Sequence, residues 1–435
     1  MPDWIGDAYA DNLGYDVLRR LTNASPRLGG SSGEREAAEI VRDTFDELGL
    51  DSVRMEPFDM VGWRRGSSSL ELPAEDRSFS CIALPRSPSA GATGELCDLG
   101  YGLPKDFEET DIEGKIVMAA ANVPSYYDRF IHRREKYYYA VEHGAAGFLF
   151  RNHIDGQLPP TGSIGTEDAP IGDIPAVGVS KEDGLELARR YEGETVSVEV
   201  EATIGDATSQ NVQAKVGPDT EEQVLVTSHV DGHDIATGAL DNGAGTAIVV
   251  EMAKALKARE DELETKVQFV VFGAEELMLL GSEHLVGEID LDTVKAVVNN
   301  DGSGRARDLK VITHGFDTFE DVLNAATERF DAPIEILPTF NPNSDHWPFV
   351  SRGIPGCQTK SDTGGRDRGW GHTAADTLDK VDSRDIRHHS VLLTEAVVEL
   401  AAEDCEAPRR SVDSVESQLD AENKLEGMRI IGDWP

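Results

Sequence analysis

Side chains that could bind a metal ion follow several apolar segments of this 435-residue chain, at or shortly after the point where each segment ends. They are histidines and carboxylates, with no thiolate among them. In chain order they are His229, Asp231, Asp241, Glu275, Glu276, Asp301 and His372. Imidazole nitrogens and carboxylate oxygens suit Zn²⁺ most readily, with Co²⁺ or Mn²⁺ as alternative occupants.

Each of these residues alone has an ordinary structural explanation. A histidine after a strand usually packs or faces solvent, and adjacent glutamates are common on a solvated face. Asp241 alone would cap the helix that follows it, and Asp301 before Gly302 would be a turn residue. The set favours a metal site, because clustered carboxylates are costly unless a cation compensates them.

Two histidines and three carboxylates fit a pair of divalent ions that share one bridging carboxylate. Two further carboxylates are then left for other roles. Glu275 is adjacent to a ligand, where a carboxylate can act as general base and then as acid toward a leaving amine. Asp231 is close enough to His229 in sequence to accept a hydrogen bond from its imidazole and fix its orientation.

Alternating strand and helix patterns predict the elements that would position these residues. Strands are predicted at 52–58, 224–227, 266–273, 294–299, 311–313, 334–337 and around Gln358, and helices at 8–24, 34–48, 243–256, 282–287, 319–330 and 383–402. This order predicts an α/β fold with a mixed, mostly parallel central sheet flanked by helices. The ligands would gather at the carboxyl ends of its strands.

A segment of different character interrupts this pattern. Short alternating strands at 68–72 and 79–84 are followed by a strand at 114–124, a helix at 126–143, strands at 144–152 and 174–179, and a helix at 181–191. The motifs GKIVM, HGAAGFLF and IPAVGVSKEDGLEL, in this order, resemble a protease-associated domain, a small β-rich lid or docking insert of some peptidases. We therefore assign 59–204 to such an insert, 1–58 and 205–405 to the catalytic domain, and 406–435 to a C-terminal tail.

Six motifs of the larger domain carry a second resemblance. In chain order they read SHVDGHD, GALDNGAG, GAEELMLLGSEH, NNDGSG, SDHWPF and GHTAADT. Together they resemble the co-catalytic zinc peptidases of family M28, over about residues 205 to 405, with the helices before residue 55 completing the core.

The resemblance assigns roles to individual residues. It implies two zinc ions, one held by His229, Asp241 and Asp301 and the other by Asp241, Glu276 and His372, with Glu275 as the base. It also implies that Ser344, Asp345 and His346 line the substrate pocket and that Asp376 supports His372.

The amidohydrolases of family M20, which use a similar ligand series, are the nearest rival. They insert a lid domain between the fourth and fifth ligands. Here only about seventy residues separate Asp301 from His372, and their strand and helix patterns belong to the core. The insert lies before the first ligand instead, which favours M28.

The chain departs from the M28 pattern at one position. Many family members carry a tyrosine directly before the last histidine ligand, where its hydroxyl helps to stabilise the oxyanion, whereas this chain has Gly371 after Trp370. Either Arg366 or Arg368 supplies the missing donor, or the site binds its substrate differently and both are exposed loop arginines.

We therefore predict a metal-dependent exopeptidase that acts on peptides, foremost an aminopeptidase. The alternative is a carboxypeptidase or dipeptidase of the same family, in which Arg352, Arg366 or Arg368 would bind the substrate carboxylate. A non-catalytic binding protein on the same fold and a one-metal glutaminyl cyclase are further alternatives. The number of ions per chain would separate these last two from the peptidases.

Composition limits the partners. The net charge is −40, from 81 acidic and 41 basic residues spread along the chain. Such a surface repels nucleic acid and anionic membranes and stays hydrated in high salt, so we expect a soluble cytoplasmic protein of a halophile rather than an ordinary acidic protein. The 4 cysteines are too few for a disulfide framework. The oligomeric state stays open, with a homodimer as one option.

Overall fold

A computed structural model of the chain describes residues 3–167, 169–364 and 369–435. Its strands are β1 (Asp51–Leu72), β2 (Arg77–Phe79), β3 (Cys81–Ala83), β4 (Ala90–Asp98), β5 (Ile116–Ala120), β6 (Gly147–Arg151), β7 (Ala176–Val179), β8 (Thr195–Val216), β9 (Gln223–His229), β10 (Lys266–Phe272), β11 (Val294–Asn300), β12 (Leu309–Ile312), β13 (Ile334–Leu337) and β14 (Gly356–Ser361).

The helices are α1 (Asp3–Ala10), α2 (Leu13–Asn23), α3 (Ser32–Glu47), α4 (Pro104–Glu109), α5 (Arg133–Glu142), α6 (Lys181–Arg190), α7 (Ala244–Ala258), α8 (Leu280–Glu288), α9 (Asp317–Phe330), α10 (Trp347–Val350), α11 (Ser383–Leu400), α12 (Val412–Ala421) and α13 (Leu425–Ile430). None of the helices that the structure describes combines the length and the apolar character needed to span a membrane.

The chain divides into two compact units. The first unit contains the described residues of 1–59, 208–371 and 376–418, and the second contains those of 60–207, 372–375 and 419–435. The divisions after 59 and 207 lie close to the limits predicted for the insert. The segments 372–375 and 419–435 group with the second unit, although the prediction placed them in the catalytic domain and the tail.

The first unit is built on a sheet with the strand order β13-β12-β14-β11-β9-β10-β8. The central strands β14, β11, β9 and β10 are parallel to one another. In contrast, β8 pairs antiparallel with β10, and β12 pairs antiparallel with β14. Strands β9 and β11 are buried along their whole length, as expected for parallel strands covered on both faces. The predicted mixed, mostly parallel sheet is confirmed.

Strand β9 marks the point where the strand order reverses. The chain leaves β9 through α7 to β10 on one side, and later reaches β11 on the other side. In open α/β sheets, ligands bind outside the carboxyl ends of the strands at such a point. The residues that end β9, β10 and β11 are therefore the ones placed for chemistry.

Helix boundaries follow local capping. The predicted helix 8–24 is two helices, α1 and α2, because the carboxylate of Asp11 accepts a hydrogen bond from the Leu13 backbone N–H at 2.6 Å and starts a new helix there. Helix α3 begins after Ser31, whose hydroxyl accepts the N–H of Glu34 at 3.1 Å.

The second unit has its own sheet, in the order β4-β5-β6-β7-β3. Its central strands are parallel, and β3 pairs antiparallel with β7. The predicted helix 126–143 begins only at Arg133, because His132 caps α5 by accepting the N–H of Arg134. Residues 419–435 are ordered in this unit, where Met428 and Trp434 are buried.

Candidate metal centre

Three predicted ligands come together at the carboxyl edge of the first unit's sheet. His229 ends β9, Asp301 follows β11, and Asp241 lies in the turn before α7. Nε2 of His229 is 3.7 Å from Oδ1 of Asp241 and 3.9 Å from Oδ1 of Asp301. All three residues are buried, and their potential ligand atoms lie within 4.8 Å of one another.

This group fits a divalent ion. Nε2 of His229 is buried and has no hydrogen-bond partner among the described residues, and its distances to both carboxylates are too long for hydrogen bonds. A divalent ion held by these three side chains would satisfy all of them. Burial alone would lower the pKa of His229, but the neighbouring carboxylates, foremost Glu275, raise it well above its usual value. The carboxylates therefore favour a positive charge at this position.

Asp231 joins the first ligand to the predicted base. Its Oδ1 lies 3.3 Å from Nδ1 of His229, as expected for a residue that orients the ring. The same carboxylate accepts the backbone N–H groups of Glu275 at 3.1 Å and Glu276 at 3.2 Å. One side chain thus fixes both the ring orientation of the ligand and the position of the turn that follows β10.

The turn Glu275–Leu277 follows β10 and carries the predicted base beside a predicted ligand. Glu275 is half-buried, and burial with the negative charge of Glu276 raises its pKa well above its usual value. Glu276 is buried, and its Oε2 lies 2.8 Å from Nε2 of His233. His233 was not predicted to be part of the site, although it lies in the motif SHVDGHD.

Glu34 supports the same turn from helix α3. Its Oε1 accepts the N–H of Ala274 at 2.9 Å and the hydroxyl of Ser209 at 2.7 Å, and its Oε2 accepts the N–H of Gly30 at 2.7 Å. Burial, followed by the charge of Asp231, raises the pKa of Glu34 to about 8. Sequence reasoning missed this residue, because a glutamate in the first turn of an amphipathic helix usually faces solvent.

The loop that carries Asp241 is held by Asp376. The two carboxylate oxygens of Asp376 accept the N–H groups of Leu240 at 2.6 Å and Asp241 at 3.0 Å, and its carbonyl accepts the N–H of Thr237 at 3.2 Å. These bonds place the carboxylate of Asp376 against the Asp241 loop, and the predicted support of His372 by Asp376 stays a prediction. Burial and the charge of Asp241 raise its pKa to about 7.

A buried arginine holds the other side of this loop. Arg27 donates to the carbonyls of Val230 and Gly238, each at 3.0 Å. Gly238 has φ +58°, and a Cβ there would lie 2.9 Å from Nη2 of Arg27 and 2.9 Å from the carbonyl oxygen of Asp241. Glycine is required at this position because a side chain would be strained and would displace both neighbours.

A second arginine, Arg305, contacts a predicted ligand directly. Its Nη2 lies 3.2 Å from Oδ2 of Asp241, and its Nε donates to the carbonyl of Leu240 at 3.3 Å. Burial works against its charge, but Asp241, Asp301 and Asp376 outweigh burial and raise the pKa of Arg305. The guanidinium is therefore a permanent cation beside Asp241.

The predicted pocket residues are fully buried. Ser344, Asp345 and His346 have 0% exposed surface. The Ser344 hydroxyl accepts from Asn299 at 2.8 Å, Oδ1 of Asp345 accepts from Ser282 at 2.6 Å, and Nε2 of His346 lies 2.8 Å from the Asn341 carbonyl. These contacts support neighbouring chain segments, and contact with a substrate stays a prediction for all three.

Four further residues were predicted for the site, namely His372, Arg352, Arg366 and Arg368. His372 belongs to the segment 372–375 of the second unit, where its backbone carbonyl accepts the N–H of Thr161 at 2.8 Å. Arg366 and Arg368 lie outside the described residues. Arg352 pairs with Glu283 at 3.3 Å. A role for these residues in binding metal or substrate stays a prediction.

Comparison with known proteins follows the same division of the chain. The model of "Peptidase family M28" matches residues 211–397, and the model of the "PA domain" matches residues 86–187. The "Aminopeptidase YwaD" of Bacillus subtilis is 29% identical over 405 residues, which cover 88% of this chain and 84% of that protein. Residues 211–397 therefore form a domain of peptidase family M28. The predicted protease-associated insert is confirmed by the PA domain match.

Solved structures agree with this assignment. A zinc aminopeptidase of Bacillus subtilis is 26% identical with a TM-score of 0.72, over 90% of this chain and 95% of that one. A peptidase M28 precursor of Shewanella amazonensis is 25% identical with a TM-score of 0.80, over 94% of this chain and 97% of that one. The choice of M28 over M20 is thereby confirmed for this chain.

Proposed function

We propose that this M28 peptidase is a two-zinc aminopeptidase that removes N-terminal residues from peptides. The observation that carries the proposal is the buried group His229, Asp241 and Asp301, tied through Asp231 to the turn that presents Glu275. The similarity to aminopeptidases over most of the chain supports the activity.

The proposed ligands of the ions are those that the M28 resemblance implies. His229, Asp241 and Asp301 would hold one zinc ion, and Glu276 and His372, with Asp241 shared, would hold the other. When bound, two such ions supply an activated water and polarise the scissile carbonyl. Zinc is proposed over other metals because the donors are nitrogens and oxygens and a relative is a zinc aminopeptidase.

The chain's own residues would move the proton. Glu275 would accept it from the attacking water and return it to the leaving amine, a role that suits a half-buried carboxylate of raised pKa. Asp231 keeps the ring of His229 and the backbone of Glu275 in a constant relation, so the base would hold its distance from the first ion. The excess of carboxylates would favour the ammonium group of an N-terminus.

A panel of peptides tests the proposal. Dipeptide amides with a free N-terminus and N-acylated dipeptides with a free C-terminus would be assayed with Zn²⁺, Co²⁺ or Mn²⁺, at low and high salt. We expect cleavage of the peptides with a free N-terminus and two ions per chain by elemental analysis. Cleavage of N-acylated peptides alone would indicate a carboxypeptidase instead. The cytoplasmic location and the halophilic origin stay predictions, and only the salt dependence of this assay bears on the second.

A further inference from the structure

His372, a proposed ligand of the second ion, makes two hydrogen bonds to one residue of the insert. The N–H of Thr161 donates to the His372 carbonyl at 2.8 Å, and Nδ1 of His372 lies 3.2 Å from the carbonyl oxygen of Thr161. A carbonyl can only accept, so the second bond needs its proton on Nδ1. The lone pair of the neutral ring is then on Nε2, which is the nitrogen left for a metal ion.

The backbone of His372 also depends on this contact. Its φ of +59° lies in the left-handed region, which residues with a side chain adopt uncommonly. Such a conformation persists only where the surrounding structure holds it. The N–H of Thr161 supplies part of that hold, because it fixes the carbonyl of His372. One residue of the insert therefore sets both the backbone and the ring of the proposed ligand.

The segment 158–165, which contains Thr161, is packed into the second unit. Thr161 is 2% exposed, and the carbonyl of Leu158 accepts the side-chain amide of Asn152 at 2.8 Å. Asn152 directly follows β6, so the start of the segment is tied to the central strands of this unit's sheet.

Two adjacent arginines of α5 hold the other end of the segment. Nε of Arg133 donates to the Ser163 carbonyl and Nε of Arg134 donates to the Gly165 carbonyl, each at 2.7 Å. Nη1 of Arg134 also lies 2.7 Å from both carboxylate oxygens of Asp433. The segment is therefore fixed on both sides of Thr161.

Gly162 controls the orientation of the Thr161 carbonyl, because that carbonyl belongs to the peptide group that joins the two residues. The φ of Gly162 is +135°, which favours glycine, and a Cβ there would lie 2.4 Å from Nε of Arg133. An alanine at this position would therefore rotate the peptide group and move the carbonyl away from Nδ1 of His372.

We propose that the insert positions a metal ligand: the Thr161 carbonyl fixes the tautomer and the orientation of His372, so that Nε2 is presented to the second ion. The inference rests on the proposed two-ion function, in which His372 is a ligand, and gives the insert a part in metal binding. Histidine ligands usually donate their other ring N–H to a carboxylate, a backbone carbonyl or water, and loss of that partner weakens metal binding about 10–100-fold. Thr161 is a positioning residue, because it acts through His372.

Nuclear magnetic resonance of the metal-free, full-length protein tests the tautomer without any bound ion. Long-range proton–nitrogen spectra of protein with ¹⁵N-labelled histidines would be recorded at about pH 8, above the ordinary pKa of an imidazole. The signal missing from His372→Gln assigns His372. We expect its proton on Nδ1 in the wild type. In Gly162→Ala we expect both tautomers, because the carbonyl that selects one of them is displaced.

Titration of the metal-free protein with Co²⁺, followed by calorimetry and visible absorption, tests the consequence for metal binding. For Gly162→Ala we expect the second ion to bind about tenfold or more weakly, with the first ion bound as in the wild type. Arg133→Met removes the donor to the Ser163 carbonyl but leaves Gly162 in place. It should weaken binding of the second ion by a smaller factor, and it tests the same segment if Gly162→Ala does not fold.

Gly193→Ala is the matched control. Gly193 has φ +77° in the turn between α6 and β8, and apart from its chain neighbours no atom of the described residues lies within 4 Å of where its Cβ would stand. An alanine there is strained in a similar way, but it lies outside the segment that holds His372. It should lower stability and leave the tautomer and both ions unchanged, and circular dichroism of each variant verifies the fold.

Three results would overturn the inference. They are a wild-type His372 with its proton on Nε2, a folded Gly162→Ala that binds the second ion as tightly as the wild type, and an equal loss of the second ion in Gly193→Ala. Failure of the proposed function looks different, since the wild type would then bind fewer than two ions or His372→Gln would keep both. The spectra of the metal-free protein decide the role of Thr161 in either case.

Discussion

The two units share one kind of architecture and use it differently. Each contains a sheet with parallel central strands, so each brings the carboxyl ends of neighbouring strands to one edge. In the first unit the residues there are metal-binding types, among them His229, Glu276 and Asp301. In the second unit β5 ends at Ala120, and β6 is followed by Asn152, whose amide donates to a backbone carbonyl.

The two units differ more clearly in whether their buried nitrogen atoms have hydrogen-bond partners. Lys136 of the second unit is buried, and its Nζ donates to the carbonyls of Tyr101 at 2.7 Å, Ala120 at 2.6 Å and Asn122 at 3.1 Å. In the first unit, Nε2 of His229 is buried without a hydrogen bond from any described residue. A buried amino group whose hydrogen bonds are made supports a fold, whereas an unsatisfied nitrogen among carboxylates is placed for an ion.

The largest expected effect comes from removing the proposed base in the first unit. Glu275→Gln keeps the size of the side chain and its backbone hydrogen bond to Asp231, but it cannot accept a proton. We expect kcat to fall by about 10³-fold, within the range ascribed to general acid–base catalysis. Steady-state kinetics on an aminoacyl p-nitroanilide would measure this, with metal content determined in parallel.

The matched control is Glu283→Gln on α8, where the carboxylate pairs with Arg352 at the surface. It should change kcat by less than about twofold, because surface ion pairs contribute little. Activity of Glu275→Gln within tenfold of the wild type would remove Glu275 from the base role and weaken the contrast between the units.

In the second unit we expect a substitution of a buried residue to lower stability without changing metal binding. Lys136→Met keeps the length of the side chain but leaves three carbonyls, that of Ala120 buried, without their donor. We expect this to lower the free energy of unfolding by about 3 kcal/mol. Urea unfolding followed by tryptophan fluorescence would measure it, and the number of bound ions should not change.

Lys181→Met is the control, since this lysine pairs with Asp155, whose side chain is 85% exposed. It should alter stability by less than about 0.5 kcal/mol. The metal content of Lys136→Met would be measured at a temperature where the protein stays folded. Loss of bound metal there would contradict the view that Lys136 serves only to stabilise the fold.

The long periodic elements were predictable from the sequence, because their patterns are strong over many residues. β13 was predicted at its observed limits, and β9, α7, β10 and β11 within about two residues. Boundaries that depend on one hydrogen bond were not predictable. Asp11 divides the first helix, and His132 starts α5 later than its apolar pattern indicates.

Prediction of the site residues from the sequence was limited in the same way. The motifs around His229, Asp241 and Asp301 indicated ligands, because residue type and order carry that information. The partners of the ligands come from distant segments: Arg305 reaches Asp241 from the loop after β11, and Glu34 reaches the base turn from α3. A single sequence does not reveal which of many charged residues turns inward, particularly in a chain with 81 acidic residues.

A neutral buried histidine in the first unit gives a pH-dependent effect on stability. Nδ1 of His389 accepts the N–H of Gly304, Nε2 lies 2.8 Å from the Arg307 carbonyl, and burial lowers its pKa to about 4. The unfolded imidazole has a pKa of about 6.5, so between pH 6.5 and 4 the unfolded state binds a proton that the folded state does not. Stability present above pH 6.5 should therefore fall by up to about 3 kcal/mol as the pH drops through this window.

His389→Gln removes this titration while keeping one acceptor and one donor. Its free energy of unfolding should fall less steeply than that of the wild type between pH 6.5 and 4, and His143→Gln in the second unit provides the comparison. Parallel pH profiles for the wild type and His389→Gln would contradict this expectation, because they would mean that the imidazole of His389 has the same pKa in the folded and unfolded states.

Glu34→Gln tests whether the first unit's site depends on support from outside its motifs. Both oxygens of Glu34 accept backbone N–H groups, those of Ala274 and Gly30. An amide can accept at only one of these places, so its NH₂ group must face a donor at the other and push the turn that carries Glu275 away. We expect kcat to fall about tenfold with KM changed by less than about twofold, because the base is misplaced while the ligands remain.

Glu34→Asp, which keeps two acceptors on a shorter stem, should recover part of the loss. An equal loss of kcat in both variants, or a rise in KM alone, would contradict this role. Glu34 would then serve the packing of α3, and only residues within the sequence motifs would position the base.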